Sequence, residues 1–199
     1  MKRKIIAAAL VFGFFAPLVC ALDLTPNEVV ITEEGPPAQR FYFQDEGRRL
    51  GFKIDNQMMV NGGKDSVTFR FRDLTTAGMK LSKSSLQPTV PFDAKNAEAY
   101  RTAARALLPT DASDVQLAEE TPDAVAINGW TSRQYTFTYK LFGVPYRCAL
   151  TFLNFNPVQQ IVFEVSAAVT DYGKTYARSY RVLNSLSELR STTSGTGPT

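Results

Sequence analysis

The fold of this chain is decided by residues 130–169, which read WTSRQYTFTYKLFGVPYRCALTFLNFNPVQQIVFEVSAAV. Apolar and polar side chains alternate along three stretches of this segment, a pattern typical of strands that place one face on a core. The stretches are 134–141, 146–153 and 161–169. Gly143-Val144-Pro145 and Asn154-Phe155-Asn156-Pro157 separate them, and these residue types favour turns. Short turns between consecutive strands predict a continuous antiparallel meander.

Two helical patterns lie outside this meander. One helix is predicted over 94–108, because Asp93 suits an N-cap and Pro109 stops a helix. A second is predicted over 171–189, where apolar residues recur at steps of three and four. The faces expected to pack on a sheet carry Ala97, Tyr100, Ala104 and Leu107 in the first helix, and Tyr172, Tyr176, Tyr180, Leu183 and Leu186 in the second.

The N-terminal part of the chain contributes further strands. Ser66–Asp73 alternates strictly, with Val67, Phe69 and Phe71 on one side. Weaker strand patterns lie at 29–31, 40–44, 50–54, 79–86 and 115–118. Runs of strands with few helices predict an α+β fold, in which helices pack on an antiparallel β-sheet.

Three features of the second half resemble a known fold family. Residues 133–153 have the pattern of a long aromatic hairpin, 159–169 that of a closing strand, and 171–186 that of a terminal helix. Over the C-terminal half, these features are similar to the PsbP-like (Mog-type) α/β/α fold family. The resemblance implies an α/β/α sandwich and a non-enzymatic module for binding or assembly. It implies no functional residue, because fold alone does not fix function.

The N-terminus has the features of a secretory signal peptide. Lys2-Arg3-Lys4 precedes an uncharged run from 5 to 22, and Val19-Cys20-Ala21 offers a cleavage site. We therefore expect an exported protein, periplasmic or secreted, with residues 1–21 removed, a single globular domain over 22–190 and a disordered tail over 191–199. Two alternatives stay open. These are a retained membrane anchor, and a lipoprotein modified at Cys20, for which Val19 is a bulky neighbour.

The charge balance changes when the signal peptide is removed. The whole chain has 22 basic and 19 acidic side chains, and three of the basic ones lie at positions 2–4, which leaves 19 of each. A net charge of zero does not favour nucleic acid as a partner. The expected partner is a protein or an apolar or anionic ligand, and no further stretch is apolar enough to span a membrane after cleavage.

The residue types available limit the chemistry. The sequence contains no histidine, which removes Ser-His-Asp catalysis and zinc sites that need histidine. Cys148 alone remains after cleavage, and its apolar neighbours favour a buried side chain. We therefore predict no catalytic residue, no metal site and no cofactor.

The favoured function is that of an exported, non-enzymatic binding or assembly module of the cell envelope. The alternative is a small exported hydrolase that uses carboxylates. Glu33-Glu34 and Glu119-Glu120 are adjacent pairs whose side chains should diverge, so they give a hydrolase no support. A catalytic pair from distant positions stays open.

Candidate contact residues are Trp130 and a basic stripe on the final helix. Trp130 enters the aromatic meander, which is either a large core or partly a cleft between sheet and helix for an apolar ligand or peptide. Lys174, Arg178 and Arg181 lie on one helical face beside the tyrosines. That face is either solvated or a docking stripe for an acidic partner or anionic lipid.

The signal-peptide pattern predicts a mature N-terminus at Leu22. Intact-mass measurement of the exported protein should give a chain that lacks residues 1–21, because signal peptidase selects small residues such as Ala21. A mass that retains these residues, or a diacylglycerol adduct at Cys20, would contradict this prediction.

Overall fold

The computed structural model of this chain describes residues 22–31, 38–45, 48–86, 89–127 and 129–189. The predicted signal peptide, the pair Glu33-Glu34 and the predicted tail at 191–199 lie outside the described residues. The limits predicted for the domain therefore stay a prediction.

The described residues form eleven strands and two helices. In chain order these are β1 (Asp23–Ile31), β2 (Ala38–Asp45), β3 (Arg48–Lys53), β4 (Met58–Gly63), β5 (Ser66–Phe71), β6 (Gly78–Lys83), α1 (Ala97–Ala106), β7 (Ser113–Pro122), β8 (Ser132–Leu141), β9 (Val144–Asn154), β10 (Gln160–Ala168), α2 (Val169–Asn184) and β11 (Ser187–Glu188).

The strands build two sheets in which neighbours run antiparallel. The smaller sheet has the order β1-β2-β3-β11, and the larger has the order β4-β5-β6-β10-β9-β8-β7. The α+β fold class, with helices packed on antiparallel sheets, is confirmed. The meander is also confirmed as β8-β9-β10, with Tyr135 opposite Leu150 and Ala149 opposite Val165. Its first turn, however, is Phe142-Gly143, because Val144 and Pro145 already belong to β9.

The larger sheet is covered on both faces over much of its area, although its outer strand β7 is mostly exposed. On one face, Tyr100 and Ala104 of α1 pack with aromatic and aliphatic residues of β8 and β9. On the other, α2 and the smaller sheet pack against Phe163 and Phe69. Cys148 lies buried in the α1 core as predicted, and burial raises the pKa of its thiol well above the usual value.

The first helix is shorter than predicted. It begins at Ala97 with Asn96 as its N-cap. Asp93 instead closes the preceding turn, where its Oδ1 accepts a hydrogen bond from the Asn96 backbone N–H (3.0 Å). Leu107 was expected in the core but is 37% exposed, because the helix ends at Ala106 and the chain turns Leu108 inward instead.

The second helix ends at Asn184, before the predicted limit of 189. The Ser185 backbone N–H bonds the Arg181 and Val182 carbonyls and closes the last turn. Ser187 and Glu188 then pair with Gly51 and Leu50 at the edge of the smaller sheet. Neither helix in the described ranges has both the length and the apolar character that a membrane span needs.

Arg178 ties α2 to two turns of the sheets. Its guanidinium donates to both carboxylate oxygens of Asp55 (2.8 and 2.9 Å) and to Asp73 (2.7 Å), and it lies 4.6 Å from the Phe71 ring centroid. The Arg178 side chain is only 12% exposed, so the prediction of a solvated position is wrong for this residue. Hydrogen bonds from Arg178 and Lys174 lower the pKa of Asp73 to about 2.

We predict that Arg178→Met lowers the melting temperature by about 2–4 °C, because Asp55 loses its ion pair and Asp73 keeps only the one with Lys174. Arg181→Met is the matched control, since Arg181 is exposed and has no ion pair with another described residue. Its melting temperature should stay within about a degree of wild type. Differential scanning calorimetry would measure both.

The Arg178→Met substitution should also change how the stability of the protein depends on pH. A carboxyl whose folded pKa is depressed stabilises the fold above its unfolded pKa, and this contribution is lost as pH falls through the folded pKa. The difference in melting temperature between wild type and Arg178→Met should therefore shrink as pH falls from 3.8 toward 2. A difference that is independent of pH over this window would contradict the role of Asp73.

Candidate functional site

The sequence-predicted contact residues do not form one site, although Lys174 and Arg178 are brought together by their shared partner Asp73. Trp130 is half-buried and packs edge-on against Phe155, with ring centroids 5.0 Å apart. Lys174 pairs with Asp73 at 3.0 Å, and Arg178 is held between two aspartates. Arg181 is exposed. As contacts for a ligand or partner, all four stay predictions.

A cleft of about 300 Å³ lies elsewhere, beside α2. It exists because α2 packs on β10 and β9 and leaves the α2 face of the outer strands β8 and β7 largely uncovered. Its lining residues combine aromatic, hydroxyl, amide and charged side chains. They are Glu119, Thr121, Ala124, Gln134, Thr136, Arg147, Tyr172 and Tyr176.

The floor of the cleft is organised by the Gln134 amide. Its Oε1 accepts hydrogen bonds from the hydroxyls of Tyr180 (2.6 Å), Tyr176 (3.1 Å) and Thr151 (3.1 Å). Its Nε2 donates to the Thr136 hydroxyl (3.2 Å). Gln134 is 6% exposed, and a buried amide satisfied in this way holds its neighbours in fixed positions.

The walls of the cleft are aromatic and electrically balanced. The Tyr176 ring stacks on Tyr180 at 4.3 Å and tilts against Tyr172 at 5.6 Å. The Arg147 guanidinium lies over the Tyr172 ring at 5.1 Å and pairs with Glu119 at 3.4 Å. One positive and one negative group face each other here, so the cleft carries no net charge.

Tyr172 and Tyr180 are hydrogen-bonding groups of this site and not bases. Burial raises the pKa of Tyr172 and of Tyr180 well above the usual value for a phenol. Both are therefore protonated at neutral pH and can donate hydrogen bonds. Hydroxyls and an amide beside aromatic rings suit the binding of a polar, uncharged molecule.

The two adjacent carboxylates of β7 do not form a catalytic pair. Glu119 faces Arg147 in the cleft, whereas Glu120 pairs with Arg101 (2.9 Å) and Arg133 (3.2 Å). Adjacent residues of a strand point to opposite faces, so the sheet separates these two groups. Within the described ranges, no cluster of three or more His, Cys, Asp or Glu side chains is arranged to hold a metal ion.

Glu164 lies on the α1 face of the same sheet. Burial raises the pKa of its carboxyl, and the nearby Lys80 partly opposes this. Lys80 is its cross-strand neighbour on β6.

Sequence reasoning missed the polar residues at the floor of the cleft. Gln134 and Thr136 occupy the polar side of an alternating strand, which the pattern assigns to water. The tyrosine stripe was expected to be plain core. The sequence does contain an indication of this arrangement, because a buried tyrosine hydroxyl needs a hydrogen-bond partner and the polar face of a strand can supply one.

No family model and no curated protein matches this chain. Solved structures with a similar fold include a protein of unknown function from Pseudomonas aeruginosa, with 11% identity, a TM-score of 0.45 and coverage of 82% of this chain and 98% of that one. Another is LpqN, involved in cell envelope biogenesis of Mycobacterium tuberculosis, with 9% identity, a TM-score of 0.46 and coverage of 83% and 92%.

The Ran-binding protein Mog1p of Saccharomyces cerevisiae is also similar, with 8% identity, a TM-score of 0.47 and coverage of 82% of this chain and 95% of that one. The structural neighbours thus include a Mog1 protein, the type named in the resemblance above. At TM-scores below 0.5, none of these likenesses bears on the function of this chain.

We predict that Tyr180→Phe lowers the free energy of unfolding by about 1–2 kcal/mol, because it removes a short hydrogen bond to the buried Gln134 amide. Tyr172→Phe is the matched control, since the Tyr172 hydroxyl has no hydrogen bond to another described residue. It should change stability by less than about 0.5 kcal/mol. Urea denaturation would measure both, and equal losses would show that the Gln134 cluster adds nothing.

Proposed function

We propose that this chain is an exported, non-enzymatic binding module of the cell envelope, and that the cleft beside α2 contacts its ligand. The observation that carries the proposal is the Gln134 cluster beneath an open, electrically balanced cleft. A buried polar network fixes the positions of the groups above it before any ligand arrives. Such preorganisation is what a binding site needs.

The balance of charges selects the class of ligand. Arg147 and Glu119 neutralise each other, so a strongly ionic ligand would have to break that pair. A neutral ligand can instead use both groups as a donor and an acceptor. The tyrosine rings offer an apolar surface beside them. A neutral sugar, which carries hydroxyls around an apolar face, has the matching chemistry.

We also propose that the protein is exported and acts in the cell envelope. Both points rest on the basic start, the apolar run and the cleavage site within residues 1–21. The resemblance in the C-terminal half implies a binding or assembly role. The hydrolase stays the alternative, and the separation of Glu119 from Glu120 by the sheet gives it no support.

We predict that the exported protein binds neutral sugars weakly, with dissociation constants of about 1 mM, as expected for a small cleft. Saturation-transfer NMR with trehalose, N-acetylglucosamine and glucose 6-phosphate would test this prediction. The two neutral probes should give signals, and the charged probe should give none because it opposes the Arg147–Glu119 pair.

Ala124→Trp should abolish these signals, because it fills the cleft without removing a hydrogen bond. Ala126→Trp is the matched control in the same loop, and its side chain is exposed outside the cleft. Binding that survives Ala124→Trp would place the ligand elsewhere. Hydrolysis of nitrophenyl glycosides or esters that is lost in Glu119→Gln would favour the hydrolase instead.

A further inference from the structure

The tip of the β8–β9 hairpin exposes an aromatic residue in an unfavourable backbone conformation. Phe142 is 85% exposed, and its φ is +50°, followed by Gly143 at +81°. Two positive φ values in a two-residue hairpin are the signature of a type I′ turn. Asn and Gly adopt this conformation readily, whereas a bulky side chain is strained in it.

Two local effects therefore disfavour phenylalanine at this position. The left-handed conformation strains its backbone, and its ring gains nothing while it stands in water. Residues strained in this way cluster at functional sites. The turn holds this ring away from the two cores, and the part of the chain that the structure describes leaves it in solvent.

The apolar surface continues around the tip. Val144 is exposed directly after the turn, and Pro145 follows it. Val169 is exposed at the start of α2, next to Ala168, which pairs with Tyr146 at this end of the sheet. Several apolar side chains thus face solvent at one end of the molecule.

The hairpin extends beyond the strands on both sides of it. On one side β10 ends at Ala168, opposite Tyr146, and on the other β7 begins at Ser113, opposite Lys140. The Phe142-Gly143 turn and the paired residues Leu141 and Val144 therefore lie beyond the ends of both β7 and β10. With a rise of about 3.4 Å per residue, this projection is about 7 Å.

Charges near the tip are paired. The Lys140 ammonium group bonds the Asp114 carboxylate at 2.9 Å, and Arg147 pairs with Glu119. The basic side chains of the β8–β9 hairpin, which are Arg133, Lys140 and Arg147, are all paired with carboxylates and so are not free to attract lipid phosphate. An interaction of the tip would therefore depend on apolar burial and not on charge.

We propose that this hairpin tip docks the protein on a lipid bilayer by inserting Phe142 into the interface of a zwitterionic membrane. The projection of about 7 Å matches the depth of about 5–10 Å at which apolar side chains enter the boundary between headgroups and acyl chains. A convex tip with apolar groups on its turn and flanks fits a fluid layer that surrounds it. One aromatic side chain with a few aliphatic neighbours gives weak and reversible binding.

The first test places a reporter at the tip. Phe142→Trp in the exported protein is mixed with phosphatidylcholine vesicles whose acyl chains carry bromine, which quenches tryptophan fluorescence at short range. Quenching should exceed that of wild type, which has Trp130 alone. Val158→Trp is the matched control, because Val158 is exposed in the β9–β10 turn, at the end of the sheet opposite Phe142. The fluorescence of this variant should be quenched no more than that of wild type.

The second test removes the aromatic ring. Phe142→Asn should reduce co-sedimentation with the same vesicles about ten-fold or more, and its melting temperature should stay the same or rise because Asn suits the turn. Val158→Asn should leave co-sedimentation unchanged. Binding should be similar with and without phosphatidylglycerol and should persist between about 0.05 and 0.5 M salt.

Three results would overturn the proposal. One is fluorescence of the Phe142→Trp variant that is quenched no more than that of wild type. Another is binding that requires phosphatidylglycerol and falls with salt, which would assign the interaction to basic residues such as Lys174 and Arg181. The third is self-association in sedimentation experiments that Phe142→Asn abolishes, which would show that a second copy of the chain covers the tip.

Discussion

Strand β10 holds the two halves of this structure together, because it pairs with β6 on one edge and with β9 on the other. Its side chains are buried on both faces, with Val162 in the core under α1 and Phe163 in the core under α2. A slip of one residue in either ladder would exchange these two sets of side chains. The positions of both helices, and of the cleft beside α2, therefore depend on the register of this strand.

The sequence allows the prediction of those parts whose pattern is local. The strands β8 to β10 follow from alternation within a few residues, and so does the existence of both helices. The role of Arg178 could not be predicted, because its partners Asp55 and Asp73 lie 123 and 105 residues away. The same holds for β11, since two residues carry no pattern and only their pairing with β3 makes them a strand.

The candidate site shows a second limit of pattern reasoning. Alternation along β8 indicates that its two faces differ, but it does not indicate that the polar face is wet. Here that face lies partly under the tyrosines of α2, whose hydroxyls donate to Gln134. The result is a polar layer inside the molecule that ends at an open cleft. The alternation along β8 and the tyrosine stripe of α2 can each be recognised in the sequence, whereas the contact between them cannot.

The position of β10 and β11 in the chain has a consequence for how the protein reaches its folded state. In the larger sheet, β10 pairs with β6, which is synthesised about eighty residues earlier. In the smaller sheet, residues 187 and 188 form one of the edge strands. Pairings between segments so distant in sequence slow folding, since a long loop must close before they form. The larger sheet is complete only once β10 has left the ribosome, and the smaller sheet only once the residues after α2 have followed. During synthesis the chain thus remains without a finished core and is open to chaperones.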